Sequence, residues 1–235
     1  MKNLILESFM LLIFSGVPCN AQPEKKPAVY TTVTIGKQVW MVENLKTTTY
    51  RNGDPIPNVT DNTLWGNNTT GSYCDYNNDA KNSTTYGRLY NWYALNDSRK
   101  IAPEGWHVAT DAEWTTLTEY LTNNGFGYEG SGTDIAKSMA STSGWNTYSA
   151  AGSPGNDQAS NNSNGFTALS SGYRYGDGSF SNIGYSNSWW SSTMSNSIGA
   201  WYRSMYYSYG YVSRSDYSNS SGFSVRCVKD VSTPR

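Results

Sequence analysis

Charge is scarce in this sequence, and its scarcity excludes two classes of protein. Only 15% of the 235 residues are charged, and the net charge is −1; an average soluble domain has ~25% charged residues. An intrinsically disordered tail combines high charge with few aromatic residues, whereas 14% of this chain is aromatic. A nucleic-acid-binding surface needs clustered lysine and arginine, and the sequence has no such cluster. We therefore expect no nucleic-acid partner.

Histidine and cysteine are also scarce, which limits the catalytic and metal sites that the chain can build. His107 is the only histidine, and it follows Trp106 in a predicted strand, so we expect a structural role rather than that of a general base. The chain has no Cys-X-X-Cys pair, which argues against zinc. Acidic residues are scattered, and no spacing singles out a carboxylate pair for glycoside hydrolysis. We expect a protein that is not an enzyme, with an unrecognised hydrolase as an alternative.

Long apolar runs are missing except near the N-terminus. A basic start, an apolar stretch over residues 9–17 and small residues before Ala21 predict a secretory signal over residues 1–21. The alternative is a lipoprotein signal with Cys19 as the lipidated residue, although Pro18 fits that pattern poorly. We expect a secreted or cell-surface protein, with a periplasmic or outer-membrane lipoprotein as a variant. Membrane contact would come only through a lipid anchor at Cys19.

The remaining cysteines suggest one cross-link. Without the signal, Cys74 and Cys227 are left, and an even count in an exported chain predicts a disulfide. On the chain-entropy model, a loop this long contributes roughly 5 kcal/mol. Two buried free thiols are the alternative. Residues 22–29 are rich in proline and lysine and are expected to be a linker, and residues 30–235 are expected to form one domain.

Hydrophobic periodicity predicts few helices and many strands. Residues 30–35 and 38–42 alternate around Gly36-Lys37, which is typical of a hairpin. Thr110-Asp111-Ala112-Glu113 forms a capping box, and the apolar residues that follow predict a helix from about Asp111 to Thr122. A shorter helix is expected at 134–140, capped by Thr133. After Phe166 the pattern consists of short strands and turns, and the last strand is expected over residues 223–228.

One polar loop has a pattern that resembles a cation site. Residues 58–83 are predicted to be loop, and within them Asp75, Asn77 and Asp79 stand at positions 1, 3 and 5, as in an EF-hand. Position 6 is Ala80 instead of glycine, and position 12 is Tyr86 instead of glutamate, so the EF-hand pattern fails. Side chains that bond their own backbone explain the cluster equally well. We expect no metal and no cofactor, with calcium in this loop as a weaker alternative.

Several motifs, in order along the chain, carry a family resemblance. They are Thr34–Leu45 (TIGKQVWMVENL), Tyr86–Ala94 (YGRLYNWYA), Gly105–Trp114 (GWHVATDAEW), Trp189–Thr193 (WWSST) and Gly222–Cys227 (GFSVRC). Together they resemble the Fibrobacter succinogenes major paralogous domain, over about residues 33–230. The resemblance implies an α+β, C-type-lectin-like fold related to the formylglycine-generating enzymes. Two helices would pack on small twisted antiparallel sheets. The catalytic cysteine pair of those enzymes has no counterpart here.

The region 172–221, and above all its end, has an unusual composition. Residues 204–221 are almost entirely tyrosine, serine, glycine, aspartate and asparagine, the residues that dominate antibody binding loops. Changing the adenines of asparagine codons yields these residues but never Lys, Glu, Gln, Trp or Met, and Met205 is the one exception. The pattern resembles the variable region of a diversity-generating retroelement. A Ser/Tyr-rich surface without diversification, structural or carbohydrate-binding, is the alternative.

We therefore predict a binding surface for a protein or glycan ligand on another cell, a phage or a host surface. Trp189, Trp190 and Trp201 are expected to form the supporting core. The candidate ligand-binding residues are Tyr175, Asp177, Tyr185, Asn187, Ser204, Tyr206, Ser208, Tyr209, Tyr211, Ser213, Ser215, Asp216, Tyr217, Ser218 and Asn219.

Overall fold

The computed structural model describes residues 29–231, so the predicted signal, most of the predicted linker and Cys19 lie outside the described residues. The described part is mixed α+β, with short helices and three sheets. The helices are α1 (Asn62–Gly66), α2 (Ala80–Tyr86), α3 (Trp92–Leu95), α4 (Asp111–Asn123) and α5 (Ala136–Met139). The strands are β1 (Thr32–Ile35), β2 (Gln38–Met41), β3 (Tyr73–Cys74), β4 (Leu89–Tyr90), β5 (Trp106–Val108), β6 (Ser171–Arg174), β7 (Phe180–Ile183), β8 (Ser186–Asn196), β9 (Gly199–Tyr206), β10 (Ser213–Ser218) and β11 (Cys227–Lys229). Within residues 29–231 we find no helix of the length and apolar character that a membrane span requires.

The first sheet brings the two ends of the domain together. Its strand order is β1-β2-β11-β5, and all of its pairs are antiparallel. The predicted hairpin and its Gly36-Lys37 turn are confirmed, with Ile35 opposite Gln38. The last strand is shorter than expected, because residues 222–224 form only isolated bridges before β11 begins at Cys227.

Helix α4 confirms the capping-box prediction. The Thr110 hydroxyl accepts a hydrogen bond from the Glu113 N–H, and the Glu113 carboxylate accepts one from the Thr110 N–H at 2.8 Å. These two bonds satisfy donors that a helix N-terminus leaves free. The buried face of α4 presents Trp114, Leu117 and Leu121. It packs on a core that includes Trp40, Phe166 and Trp189, with the rings of Trp40 and Trp114 4.8 Å apart.

The expectation of two helices is wrong. Of the five α-helices in residues 29–231, only α4 is longer than two turns. Segment 58–83, predicted to be loop, contains α1 and the start of α2, whose first turns are capped by the side chains of Asp61 and Asp79. Helix α5 is confirmed in place but has no Thr133 cap, since Ile135 stands at its N-cap without a side-chain hydrogen bond.

The second sheet carries the C-terminal half. Its order is β10-β9-β8-β6-β7, and β6 pairs with β8 in the parallel direction at Gly172 and Asn187. The sheet is therefore mixed rather than purely antiparallel. Strand β8 is the longest, and its register with β9 shifts after Trp190. Such bulges increase the local twist of a strand pair.

A buried arginine ties both halves together. Arg226 is fully buried, and its Nε donates to Asn44 Oδ1 at 2.8 Å. Its Nη1 donates to the carbonyls of Met41 and Phe166, and its Nη2 to that of Thr167. Burial lowers the pKa of Arg226 to about 9. The guanidinium thus satisfies carbonyls that would otherwise be buried without partners.

The predicted disulfide is wrong in this structure. Cys74 and Cys227 are buried free thiols. They belong to different clusters: Cys74 packs with Trp65 and Leu89, whereas Cys227 lies in the cluster that contains Trp190. Burial raises the pKa of each thiol to about 12. Both thiols act as small apolar side chains, which was the alternative reading of the cysteine count.

Candidate functional site

Tyrosine side chains gather on the surface of the second sheet. We call this set the tyrosine belt and define it as Tyr175, Tyr185, Tyr206, Tyr209, Tyr211 and Tyr217. Tyr185, Tyr209, Tyr211 and Tyr217 are 47%, 48%, 48% and 39% exposed. The belt draws on the β6–β7 turn, the β7–β8 turn, the end of β9, the β9–β10 connection and β10. Positions 42 residues apart in the sequence therefore share one surface.

The first groove lies at one end of the belt. It is an open depression of about 550 Å³ lined by Tyr175, Gly176, Asp177, Ser179, Tyr217, Ser218, Ser220 and Ser221. The turn that carries Asp177 is ordered by its own side chain, because Asp177 Oδ1 accepts from the Ser179 N–H and hydroxyl. These two hydrogen bonds lower the pKa of Asp177, so its carboxylate is charged at neutral pH.

The second groove lies at the other end and has no charged lining. Its volume is about 530 Å³, and it is lined by Asn182, Tyr185, Tyr206, Tyr207, Ser208, Tyr209, Tyr211 and Ser213. The rings of Tyr209 and Tyr211 are stacked, with centroids 5.4 Å apart and an angle of 14°. Aromatic faces and neutral hydrogen-bonding groups thus alternate along this groove.

Ring contacts hold much of the belt in one conformation before any ligand arrives. Tyr206 packs on Tyr209 at 5.8 Å, and Tyr185 packs edge-on against Tyr207 at 5.2 Å. Burial raises the pKa of Tyr206, and the neighbouring Tyr175, Tyr209 and Tyr217 raise it further. Tyr206 therefore lines the second groove and lies near Tyr175 and Tyr217 of the first.

A charged network anchors the strands beneath the belt to helix α4. Arg203, nearly fully buried, donates to Asp111 Oδ1 at 2.6 Å. The exposed Arg214 donates to Asp111 Oδ2 at 2.8 Å and stacks over Trp201 at 3.5 Å. One carboxylate at the start of α4 thus binds both β9 and β10. This network was not predicted, and its one local signal in the sequence is the acidic Asp111 in the first turn of α4.

The structure distributes the predicted ligand-binding residues unevenly. Ten of them line the two grooves: Tyr175, Asp177, Tyr217 and Ser218 the first, and Tyr185, Tyr206, Ser208, Tyr209, Tyr211 and Ser213 the second. Ser215 and Asp216 are exposed on β10 outside these linings. The sequence analysis did not propose Ser179, Asn182 or Ser220, which also line the grooves.

Three predicted contact residues are wrong because they are buried. Asn187, Ser204 and Asn219 are 0%, 3% and 3% exposed. Asn187 lies in β8 between β6 and β9, and Ser204 lies in β9 between β8 and β10. Strand order, which composition does not reveal, decides their burial. Asn219 hydrogen-bonds through its backbone to Ile198 and Trp92.

The three tryptophans also differ from one another. Trp189 and Trp190 are fully buried, as expected, and donate to Asn44 Oδ1 and the Tyr90 carbonyl. Trp201 is only half-buried and supports Arg214. Its assignment to the core is therefore wrong. Met205, the exception in the tail's composition, is fully buried.

His107 lies outside the belt, between two carboxylates. Its Nε2 is 2.7 Å from Glu113 Oε1, and its Nδ1 is 2.7 Å from Asp230 Oδ1. The hydrogen bond to Glu113 and, after it, the one to Asp230 raise the pKa of His107 to about 9, against the opposing effect of burial. The charged imidazolium therefore joins β5, α4 and the end of the domain, a structural arrangement.

The loop that resembles a cation site uses its carboxylates for the fold. Asp79 Oδ1 accepts from the Lys81 N–H at the start of α2, and Asp75 lies 3.4 Å from Arg88. In residues 29–231 no group of three or more histidine, cysteine, aspartate or glutamate side chains is placed to hold a metal ion.

The fold and the surface together define the class of protein. The chain is an α+β domain in which a tryptophan-rich core supports a mixed sheet whose surface displays ordered tyrosines. Comparison with known families makes the assignment specific. The family model described as Fibrobacter succinogenes major domain matches residues 33–229, and the chain belongs to this family. No curated protein and no solved structure matches the chain.

Proposed function

We propose that this protein is an exported, non-catalytic ligand-binding protein and that the tyrosine belt is its contact surface. The observation that carries the proposal is the belt's geometry. Four tyrosines are 39–48% exposed yet packed on ordered neighbours along two adjoining grooves. Large exposed aromatic residues normally lie scattered on a protein surface, and their concentration marks an interaction site.

Tyrosine suits this role for a physical reason. It presents a large amphipathic area with only two rotatable side-chain bonds, so fixing it on a ligand costs little entropy. The stacked and edge-on ring pairs of the belt reduce that cost further, because they restrict the rings before binding. Serine and asparagine in the linings add hydrogen-bonding groups that adapt to different partners.

The groove linings favour binding over catalysis. They contain tyrosine, serine, asparagine, glycine and one aspartate. Neither lining includes His107, Cys74 or Cys227, the groups that general-base and nucleophilic mechanisms most often use. His107 is occupied by two carboxylates in a separate depression.

The proposal also covers the fold class of the domain and the origin of its surface residues. We place the domain in the C-type-lectin-like class, on the motifs that resemble that branch. We also propose that adenine-directed mutation of a retroelement target produced residues 204–221. The exposed positions 209, 211, 215, 216, 217 and 218 all obey the adenine-codon rule, whereas the exception, Met205, is buried framework.

We propose that the ligand is a protein or glycan at the surface of another cell or a phage. Binding experiments test this. Purified mature protein is applied to a glycan array and used to select from a random peptide-display library. We compare it with the Tyr209→Ser/Tyr211→Ser variant and with Tyr120→Ser, a control whose tyrosine is 37% exposed on α4. The proposal expects ligands that bind the wild type and the control but bind the double variant at least about tenfold more weakly. Equal binding by all three proteins, or no binding at all, overturns it.

Diversification is tested in the DNA. We expect a near-copy of the coding sequence for residues 204–221 close to the gene, differing only at adenines, beside a reverse-transcriptase gene. Absence of both overturns the diversification proposal and leaves the binding proposal standing.

A further inference from the structure

We infer that the first groove, lined by Tyr175, Asp177 and Tyr217, receives an arginine side chain of a protein ligand. The inference rests on the proposed binding function and specifies the chemistry that one end of the belt recognises. It depends on four features of the groove: one free carboxylate oxygen, two aromatic side chains, a buried hydroxyl without a partner and the absence of any basic residue from the lining.

The Asp177 carboxylate is charged, its orientation is fixed, and one of its two oxygens accepts no hydrogen bond from the described residues. Asp177 Oδ1 is held by the Ser179 N–H at 2.9 Å and the Ser179 hydroxyl at 2.6 Å. Within residues 29–231, no hydrogen bond reaches Asp177 Oδ2. The turn thus fixes the direction of the carboxylate while leaving one oxygen to accept from a ligand. A charge-assisted hydrogen bond to that oxygen is stronger than a neutral one.

The aromatic side chains provide the faces that a guanidinium prefers. Tyr217 is 39% exposed, and Tyr175 is half-buried, with its ring 4.9 Å from that of Tyr173. The Tyr175 hydroxyl is hydrogen-bonded to the Tyr173 hydroxyl at 2.9 Å, which fixes its ring. A cation within ~6 Å of such a ring is attracted by the ring's electron-rich face.

Within residues 29–231 the same combination occurs three times. Arg88 stacks on Tyr73 at 4.6 Å and lies 3.4 Å from Asp75. Arg99 stacks on Tyr50 at 4.0 Å and pairs with Asp97 at 2.7 Å. Arg214 stacks on Trp201 at 3.5 Å while it pairs with Asp111. In each case an aromatic ring and a carboxylate flank one guanidinium. The first groove offers the ring and the carboxylate without the guanidinium.

Arg174, next to Tyr175 in the sequence, does not supply the missing charge. Arg174 is fully buried, and its Nε donates to the Gly178 carbonyl at 2.8 Å, behind the turn that carries Asp177. Its other nitrogens donate to the carbonyls of Val59 and Thr60 and to the side chain of Asn62. Its donors are therefore directed into the fold rather than into the groove.

The groove also contains an unused hydrogen-bonding group. Ser221 lines it, is 0% exposed, and has a hydroxyl without a hydrogen-bond partner in the described structure. A buried hydroxyl without a partner costs free energy, which a ligand N–H would recover. Arginine fits better than lysine, because its planar fork can stack on tyrosine and donate in several directions at once.

The direct test uses a short peptide as the probe. Acetyl-Gly-Arg-Gly-amide is titrated into the ¹⁵N-labelled mature protein, and amide shifts are followed by NMR. We expect shifts at residues 176–179 and 217–221, a lysine peptide that binds more weakly, and a citrulline peptide, of the same shape without charge, that binds at least about tenfold more weakly. Equal shifts from the arginine and citrulline peptides, or shifts confined to other residues, overturn the inference.

Two matched variants separate this groove from general electrostatics. Asp177→Asn removes the charge and keeps the volume. Glu104→Gln removes an exposed charge from the turn before β5, outside both groove linings. We expect Asp177→Asn to lose the arginine-peptide shifts and Glu104→Gln to keep them. Equal effects of the two variants overturn the inference.

The peptide selection described above distinguishes this inference from the broader proposal. Arginine should be enriched among peptides selected on the wild type and on Glu104→Gln, but not among those selected on Asp177→Asn. If the selected peptides need Tyr209 and Tyr211 for binding but are not enriched in arginine, the arginine groove alone is overturned. A glycan ligand without any peptide ligand also overturns the arginine groove alone, whereas no ligand from either the library or the glycan array overturns the proposed binding function.

Discussion

The two aromatic regions of this molecule use similar side chains for opposite purposes. In the core, Trp40, Trp114 and Trp189 are fully buried and pack with Phe166 at centroid distances of 5.8–6.0 Å. In the belt, tyrosines contact one another at comparable distances but keep up to 48% of their surface in water. Aromatic contact orders the side chains in both regions, and the phenolic hydroxyl allows the second to stay exposed.

The comparison also separates stability from recognition. Core polar groups such as Asn44 and Arg226 are satisfied by several internal hydrogen bonds. The two grooves leave tyrosine and serine hydroxyls and one carboxylate oxygen available at the surface. Changes in the first region should therefore unfold the protein, whereas changes in the second should alter binding alone.

The largest effect is expected from Arg226→Met. The substitution leaves the carbonyls of Met41, Phe166 and Thr167 and the Asn44 side chain without their donor, at a cost of about 3–5 kcal/mol in the free energy of unfolding. Urea denaturation followed by tryptophan fluorescence measures this. Lys229→Met, at an exposed position of β11, is the control and should change stability by less than about 0.5 kcal/mol. A stable Arg226→Met protein would contradict the role given to this residue.

A smaller effect is expected where the core meets the belt. Asp111→Ala leaves the guanidinium of Arg203, 2% exposed, without its carboxylate, and should lower stability by about 3 kcal/mol. Arg214→Ala should lower it by less than about 1 kcal/mol, because Arg214 is exposed. Equal losses of unfolding free energy in the two variants, measured by urea denaturation, would show that the buried Asp111–Arg203 pair stabilises the fold no more than the exposed Arg214 does.

A modest pH dependence is expected from His107. Its pKa is raised from an ordinary 6.5 to about 9, so the stabilisation is fully present below pH 6.5 and is lost as the pH rises through about 9. The side chain is 36% exposed, so solvent screening should leave about 1 kcal/mol. His107→Gln should remove this part of the pH dependence. Parallel stability curves for wild type and variant between pH 6 and 10 would refute the assignment.

The smallest effect on stability is expected from Tyr209→Ser/Tyr211→Ser. Both side chains are 48% exposed, so the free energy of unfolding should change by less than about 1 kcal/mol. Binding to selected ligands should nevertheless fall at least about tenfold, because contact tyrosines dominate such surfaces. Loss of folding in the double variant would assign these rings to the core and would remove the contrast between the two regions.

Local chemistry made part of this structure predictable. The capping box before α4 and the Gly36-Lys37 turn depend on neighbouring residues only, and both formed as expected. The unusual composition of residues 204–221 led to seven of the groove residues for the same reason, and the similar stretch before it led to Tyr175, Asp177 and Tyr185. The short helices α1 and α2 were missed because neither carries enough apolar periodicity to stand out from a polar loop.

Other features depend on contacts between distant segments. Cysteine count predicted a Cys74–Cys227 disulfide, yet the fold places the two thiols in separate clusters. Asn187, Ser204 and Trp201 were misassigned because the order of strands in the sheet decides which residues are covered. The bonds from Asp111 to Arg203 and Arg214 join residues about ninety to one hundred positions apart.

The sequence by itself determined the family, the α+β character and the residue types of the displayed surface, because motifs, caps and composition are local properties. Only the tertiary structure decided which tyrosines and serines reach solvent and that they meet in two grooves. It alone decided that Asp177 keeps one carboxylate oxygen free. The physical reason is that exposure and charge pairing depend on what packs against a residue, and in this domain most of those neighbours are distant in sequence.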